Sequence, residues 1–268
     1  SIDQVVQMMV GRVIYEEPKT HSNVGADAPV ILEAEHLVSD DVKDVSFQLR
    51  KGEILGFAGL MGAGRTETAR AIYGADPIDS GEIYIRGQKV TLGTPQKAVK
   101  AGICYLSEDR KRYGLMLDKS VAENTALASL DSFISGGFIR DGKIVQAAEE
   151  YNAKLRTKTP SMQQKLRNLS GGNQQKVVIA RWLLRDSDIF IFDEPTRGID
   201  IGAKSEIYTL IEQLAADGKA IIVISSELAE RVCDRVIVMC EGRKTAELDI
   251  GDATQEEIMK YATMREEI

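Results

Sequence analysis

The sequence predicts an α/β fold: a mainly parallel sheet flanked by helices, with an antiparallel β part and an inserted helical lobe. Three observations predict it. Short apolar runs alternate with amphipathic helical segments, the pattern of strands that cross over into helices and are covered on both faces. A glycine-rich turn joins one such run, Glu53–Ala58, directly to a helix. Another run, Asp188–Phe192, delivers Asp193 and Glu194 at its C-terminal end, the rim where such sheets bind ligands.

The elements follow in order. Ser1–Val10 is a short amphipathic segment with a serine cap and Asp3 in its first turn, and residues 13–29 are polar and aperiodic, a linker. Phe47 lies in an alternating strand and is expected in the core. After the strand Glu53–Ala58, a helix from Arg65 to Tyr73 ends at Gly74-Ala75-Asp76-Pro77. Glu82–Ile85 and Lys89–Leu92 alternate around Arg86-Gly87-Gln88, a hairpin signal. Thr94 caps a helix that opens with Pro95 and runs to Lys100, ahead of the strand Ile103–Leu106. Residues 118–167 hold only helical patterns and a glycine break at Ser135-Gly136-Gly137, which predicts the inserted lobe. Helices at Gln174–Arg185, Ala203–Ala216 and Glu227–Cys233 then alternate with strands at Asp188–Phe192, Ala220–Ile224 and Arg235–Cys240. Thr254–Arg265 repeats the plan of Ser1–Arg12: hydroxyl cap, acidic first turn, apolar centre, terminal arginine.

Composition sets bounds. The 268 residues, 43% hydrophobic and 28% charged, can bury the core of one large domain or of one domain plus a small lobe. No window approaches the roughly 18 consecutive apolar residues of a membrane helix. Ser1–Met9 lacks the order of a secretory leader, and the opening serine suggests a processed or excised piece. A net charge of −7 and a pI near 5.1 argue against a nucleic-acid partner. Cys104, Cys233 and Cys240 show no ligand spacing and read as free thiols in a reducing cytosol. Trp182 sits on an apolar helix and reads as core, and Lys111-Arg112 as a solvated turn.

Three motifs carry chemistry. Gly59-Leu60-Met61-Gly62-Ala63-Gly64-Arg65-Thr66 fits a phosphate-binding loop with arginine in place of lysine. Its glycines let backbone N–H groups curl around phosphate oxygens, and the helix that starts there adds its positive dipole end. Thr66 offers a hydroxyl to Mg²⁺. Arg65 keeps the charge but not the shape of the lysine, so nucleotide binding is expected to survive in weakened form and hydrolysis at this loop to be impaired. Asp193 would hold Mg²⁺, directly or through water, and Glu194 would orient and polarise an attacking water. The third motif, Leu169-Ser170-Gly171-Gly172-Asn173, opens a helix and offers a second anion-binding helix start.

In this order the motifs resemble the ATP-binding cassette (ABC) ATPase family, over about residues 30–268, with a P-loop NTPase-type sheet. Gly59–Glu67, Leu106-Ser107-Glu108-Asp109-Arg110-Lys111-Arg112, the Asn173-Gln174-Gln175-Lys176 ending and Asp193–Asp200 are similar, more closely, to the C-terminal cassette of tandem bacterial importers for simple sugars, of the ribose, galactose, xylose and arabinose type. The resemblance implies ATP and Mg²⁺ as ligands. It also implies a head-to-tail partner cassette, fused upstream, whose nucleotide contacts Ser170, Gly171, Gly172 and Asn173. Residues 1–29 would then be the tail of that cassette plus a linker. It further implies membrane permease subunits gripped by the helical lobe (about 118–167) and the segment near Glu108, with a periplasmic sugar-binding protein indirectly. The expected location is cytoplasmic, on the inner face of the cell membrane. Which sugar moves is settled in other subunits.

The sequence departs from the family at four places. Arg65 replaces the loop lysine, Glu108 stands at a position usually glutamine, Ser226 stands at a position usually histidine, and Ala34–Lys43 holds no aromatic to stack on adenine. The phosphate-loop site is therefore expected to be catalytically poor, while the Leu-Ser-Gly-Gly helix is intact and could complete a competent site on the partner. Two alternatives stay open. One is a scaffold that senses nucleotide without hydrolysing it. The other is a non-transport ABC ATPase, although Thr66 to Leu169 leaves no room for a long coiled-coil arm.

Overall fold

The computed structural model describes residues 19–22, 24–25, 27–225 and 232–264. Along the chain come β1 (Val30–Ser39), β2 (Val42–Arg50), β3 (Ile54–Gly59), α1 (Arg65–Ile72), β4 (Ser80–Ile85), β5 (Gln88–Val90), α2 (Pro95–Lys100) and β6 (Ile103–Leu106). Then follow α3 (Val121–Ala126), β7 (Ile134–Ser135), β8 (Phe138–Ile139), α4 (Asp141–Lys154) and α5 (Gly171–Leu184). The rest is β9 (Ile189–Asp193), α6 (Ile201–Ala216), β10 (Ala220–Ile224), β11 (Arg235–Cys240), β12 (Arg243–Asp249) and α7 (Gln255–Ala262).

The described residues up to Tyr105, with Asp188–Glu194 and those from Ile211 onward, form one compact unit. Its larger sheet has the order β12-β11-β3-β10-β9-β6. β11, β3, β10 and β9 pair in parallel, and β12 closes the edge antiparallel to β11. Every residue of β9 and β10 is buried, as unbroken Ile/Phe/Val runs covered on both faces require. The second sheet, β2-β1-β4-β5, is antiparallel throughout. In β2, Val45, Phe47 and Leu49 turn inward while Asp44 lies exposed and Ser46 and Gln48 half-buried. Phe47 is a core residue, edge-on to Phe57 at 5.2 Å between centroids. One apolar cluster joins both sheets through Leu32, Phe47, Leu55, Phe57, Ile191 and Ile222.

A polar knot lies at the root of β3. Asp234 is buried, and its Oδ2 accepts from the Ile54 N–H at 2.9 Å. Its Oδ1 accepts from Lys19 Nζ at 2.7 Å and Ser22 Oγ at 3.0 Å, so part of the expected linker is tied down.

Leu106–Ser187 and Pro195–Leu210 form the second compact unit. α3 opens with a capping box: Ser120 Oγ accepts from Glu123 N–H at 3.1 Å, and Glu123 Oε2 from Ser120 N–H at 2.8 Å. Ala122, Ala126, Phe133, Ile144 and Ala148 make a small core. Trp182 is buried, as expected, and Lys111 and Arg112 are exposed on a π-helical turn, Arg110–Gly114. The reading of 118–167 as helical apart from a glycine break is corrected at one place. Ile134-Ser135 and Phe138-Ile139 pair antiparallel across Gly136 and Gly137, whose φ of 61° and 82° suit a tight hairpin turn.

α5 starts at Gly171, earlier than the periodicity from Gln174 implied, because Ser170 takes the extended N-cap conformation. At the C-terminal end Thr254 caps α7, its Oγ1 accepting from Glu257 N–H at 3.2 Å. The segment Ser1–Val10, most of the helix read at Glu227–Cys233, and Arg265 lie outside the described residues.

Asn124 is the polar hub of the second unit and is fully buried. Its Oδ1 accepts from Met116 N–H at 2.9 Å and Arg181 Nη2 at 3.2 Å, and its Nδ2 donates to Met116 O and Ser120 O. Leucine at this position keeps the volume but removes the acceptor that Met116 N–H and Arg181 use. Asn124→Leu is expected to destabilise by about 3 kcal/mol. Urea unfolding measures it, as a lower midpoint at unchanged slope; a loss below about 0.5 kcal/mol would contradict the hub role.

Candidate functional site

β3 runs out of the sheet at Gly59, and the chain loops through Leu60–Gly64 before α1 begins at Arg65. The loop is solvent-facing at its tip, with Met61 94% exposed, while Ala63 and Gly64 are buried. Gly64 is the N-cap of α1 in left-handed conformation, and no side chain caps the helix. The first N–H groups of α1 are thus free of the side-chain oxygen that usually occupies such a start, which leaves them to an anion. A Cβ on Gly64 would sit 2.8 Å from Gly242 Cα and 2.9 Å from Asp41 O, so close packing demands glycine. Gly62 differs: φ is 76°, yet a Cβ there would meet nothing within 4 Å. No neighbour in the unit fills the space over Gly62.

Asp193 ends β9 and is 1% exposed. Its Oδ1 accepts from Thr66 Oγ1 at 3.2 Å and its Oδ2 from the Tyr105 hydroxyl at 2.6 Å. Burial pushes the Asp193 carboxyl above its ordinary range, opposed by those two hydrogen bonds and by the nearby Arg65 charge. Burial and the neighbouring carboxylate likewise push the Tyr105 phenol up. Glu194 follows with φ 44°, a left-handed conformation costly for a residue with a side chain. A hydrogen bond from Glu194 N–H to Ile224 O at 2.8 Å holds it there. Arg65 Nη1, 3.9 Å from Glu194 Oε1, is buried with no hydrogen-bond partner.

The first unit therefore brings Gly59, Gly62, Ala63, Gly64, Arg65, Thr66 and Glu67 together with Asp193 and Glu194. The donor set suits a triphosphate with a hard cation. The Thr66 hydroxyl and a buried carboxylate face each other, an all-oxygen pair of the kind Mg²⁺ prefers, and a buried guanidinium nitrogen lacks an acceptor.

The second unit carries the other motif. Ser170 is exposed at the start of α5, and its Oγ accepts from Asn173 Nδ2 at 2.9 Å rather than capping the helix. Asn173 Oδ1 accepts from Lys158 N–H at 2.8 Å. A Cβ on Gly172 would lie 2.7 Å from Ala203 Cβ, so that glycine is sterically enforced, whereas one on Gly171 would meet the movable end of Arg110 at 2.7 Å and Gly198 O at 3.0 Å. Glu108, half-buried, pairs with Arg197, and Arg110 Nη1 donates to Arg197 O at 2.9 Å. Ser226 lies outside the described residues.

Sequence reasoning missed two participants. Tyr105 reads as an ordinary residue of a short strand, with no local signal of its bond to Asp193. Arg197 was in view within Asp193–Asp200, but nothing in its spacing shows that Glu108 is its partner.

The family profile described as ABC transporter matches residues 42–197. A ribose/galactose/methyl galactoside import ATP-binding protein of Burkholderia cenocepacia (strain HI2424) is 56% identical over 270 residues, covering 99% of this chain and 52% of that protein. One of Halalkalibacterium halodurans is 50% identical over 267 residues, covering 97% and 50%. The chain spans about half the length of the curated relatives it matches. Among solved structures, a nucleotide-free ATP-binding cassette from an ABC transporter superposes with a TM-score of 0.73 at 22% identity, over 88% of this chain and 96% of that one. A dimeric cassette, MJ0796, bound to ADP and Pi gives 0.69 at 22%, over 82% and 99%. With fold, motif order and near-full-length similarity in agreement, the chain belongs to the ABC transporter family, as an ATP-binding cassette.

Proposed function

We propose that this chain is the ATP-binding module of an importer for simple sugars, with its own phosphate-loop site impaired and its Ser170–Asn173 helix start completing the site of a partner cassette. The observation that carries the nucleotide reading is the convergence of Thr66, Asp193 and Glu194 beneath an uncapped helix start lined by Gly62 and Gly64. The sugar reading rests on the relatives, which are ribose/galactose/methyl galactoside import proteins by description.

In this reading the N–H groups of Gly62–Thr66 cradle the β- and γ-phosphates, and Arg65 faces them. Thr66 and Asp193 would hold Mg²⁺, which would supply positive charge to offset that of the phosphates. Glu194 orients a water for in-line attack on the terminal phosphorus and accepts its proton, while the bond to the bridging oxygen breaks and ADP leaves with that oxygen. Arg65 beside Glu194 weakens that step. The bulky guanidinium fork, 3.9 Å from the carboxylate, does not reproduce a lysine's point contact with phosphate.

Residues 1–29 are proposed to be the end of an upstream cassette and a linker, with 30–268 the cassette proper and a helical lobe at about 118–167. The doubled length of the relatives leaves room for that second cassette. Permease subunits would take the lobe and the Glu108 region, placing the assembly at the inner face of the membrane, with the sugar-binding protein beyond it. No helix among the described residues is long and apolar enough to cross a membrane. The presence of both Asp193 and Glu194 at the end of β9 favours hydrolysis within the assembly over a silent scaffold.

Two outcomes test this. In the tandem protein, Arg65→Ala should change ATP turnover by less than about threefold, while removing the partner loop's lysine should cost on the order of 100-fold or more. Equal losses would refute the asymmetric reading. The 268-residue chain alone should hydrolyse ATP only slowly, with a rate per molecule that rises with protein concentration; fast, concentration-independent turnover by a monomer would contradict the need for a partner's Ser170-type contact.

A further inference from the structure

A buried carboxylate must satisfy two oxygens, and Asp193 does so unequally. The bond to Oδ2 from Tyr105 is short, 2.6 Å, whereas the bond to Oδ1 from Thr66 is long, 3.2 Å. The oxygen beside Thr66 is therefore the more readily exchanged, and the oxygen beside Tyr105 is the anchored one. The Tyr105 ring is itself held. It stacks on Tyr73 with centroids 5.3 Å apart and planes inclined by 28°. Tyr73 is the C-cap of α1, the helix whose first turn carries Thr66. One helix thus presents a hydroxyl to one side of the carboxylate and, from its other end, steadies the tyrosine that grips the other side. Packing alone does not call for that hydroxyl, because phenylalanine would stack on Tyr73 without a polar atom to satisfy.

We propose that Tyr105 is a positioning residue for the metal site: by donating to Asp193 Oδ2 it fixes the carboxylate plane so that Oδ1 stays turned toward Thr66 and the bound cation. The proposal rests on the reading of Thr66 and Asp193 as the Mg²⁺ ligands. Tyr105 acts through Asp193 and needs no contact with nucleotide. Groups that orient a ligating carboxylate typically govern metal affinity by about 10- to 100-fold.

The test uses Mn²⁺ as the probe, read by electron paramagnetic resonance of the free ion, on the 268-residue chain with ATP. Tyr105→Phe keeps the ring and its stacking. It should weaken Mn²⁺ binding to the ATP-loaded chain by roughly tenfold, while ATP affinity in EDTA stays within about twofold of the parent. Tyr73→Leu should weaken Mn²⁺ in the same direction by a smaller factor. Unchanged Mn²⁺ affinity in Tyr105→Phe overturns the positioning role, and so does an equal fall in both affinities, which is what a merely structural role would give. Asp193→Asn separates this from the underlying assignment. If it binds Mn²⁺ as well as the parent, the metal site itself is misplaced and the proposal falls with it.

Discussion

Ile224 of β10 pairs with Phe57 on one side and with Asp193 on the other, both in parallel register. That double pairing is the constraint on which the rest depends. It makes the glycine loop after β3 and the carboxylates after β9 leave the sheet at one rim and at one level. A shift of β9 by one residue would draw Asp193 into an apolar sheet with neither Thr66 nor Tyr105 to bond it, and a buried unpartnered carboxylate is far more costly than any strand pairing restores. The register is thus held both by Ile and Phe packing and by the polar end of the strand. Glu194 shows the same economy, since its strained backbone is stabilised by a bond to Ile224 O, the residue that sets the register.

The charges at this rim are arranged in a short series. Asp193 is buried and hydrogen-bonded, Glu194 is partly exposed, and the Arg65 guanidinium stands beside Glu194. In a site of low dielectric such neighbours speak strongly to one another. The Arg65 charge offsets part of that of the acidic pair. The same compensation is what a phosphate chain would have to compete with.

Most of the fold was legible because its signals are local. The apolar runs of β9 and β10, the Thr94-Pro95 start and the hairpin at Arg86-Gly87 each carry their periodicity or turn chemistry within a few residues. β12 was not legible: none of its positions is buried, so no inward face stands out. The Ile134–Ile139 hairpin was lost in a stretch of helical pattern because two residues per strand are too few for a period. In the site, the glycines, Thr66, Asp193 and Glu194 could be read from spacing, since backbone N–H groups and strand ends dictate where such residues stand. Tyr105 and the Glu108–Arg197 pair could not, because they are long-range meetings set by packing.

The knot at Asp234 bears on how the domain would carry load. The polypeptide arriving through Lys19 and Ser22 is moored to a carboxylate that also grips the first amide of β3. Tension applied at Lys19 and Ser22 would reach, through Asp234, a strand held by ladders to β10 and β11 on both sides instead of one at the sheet edge.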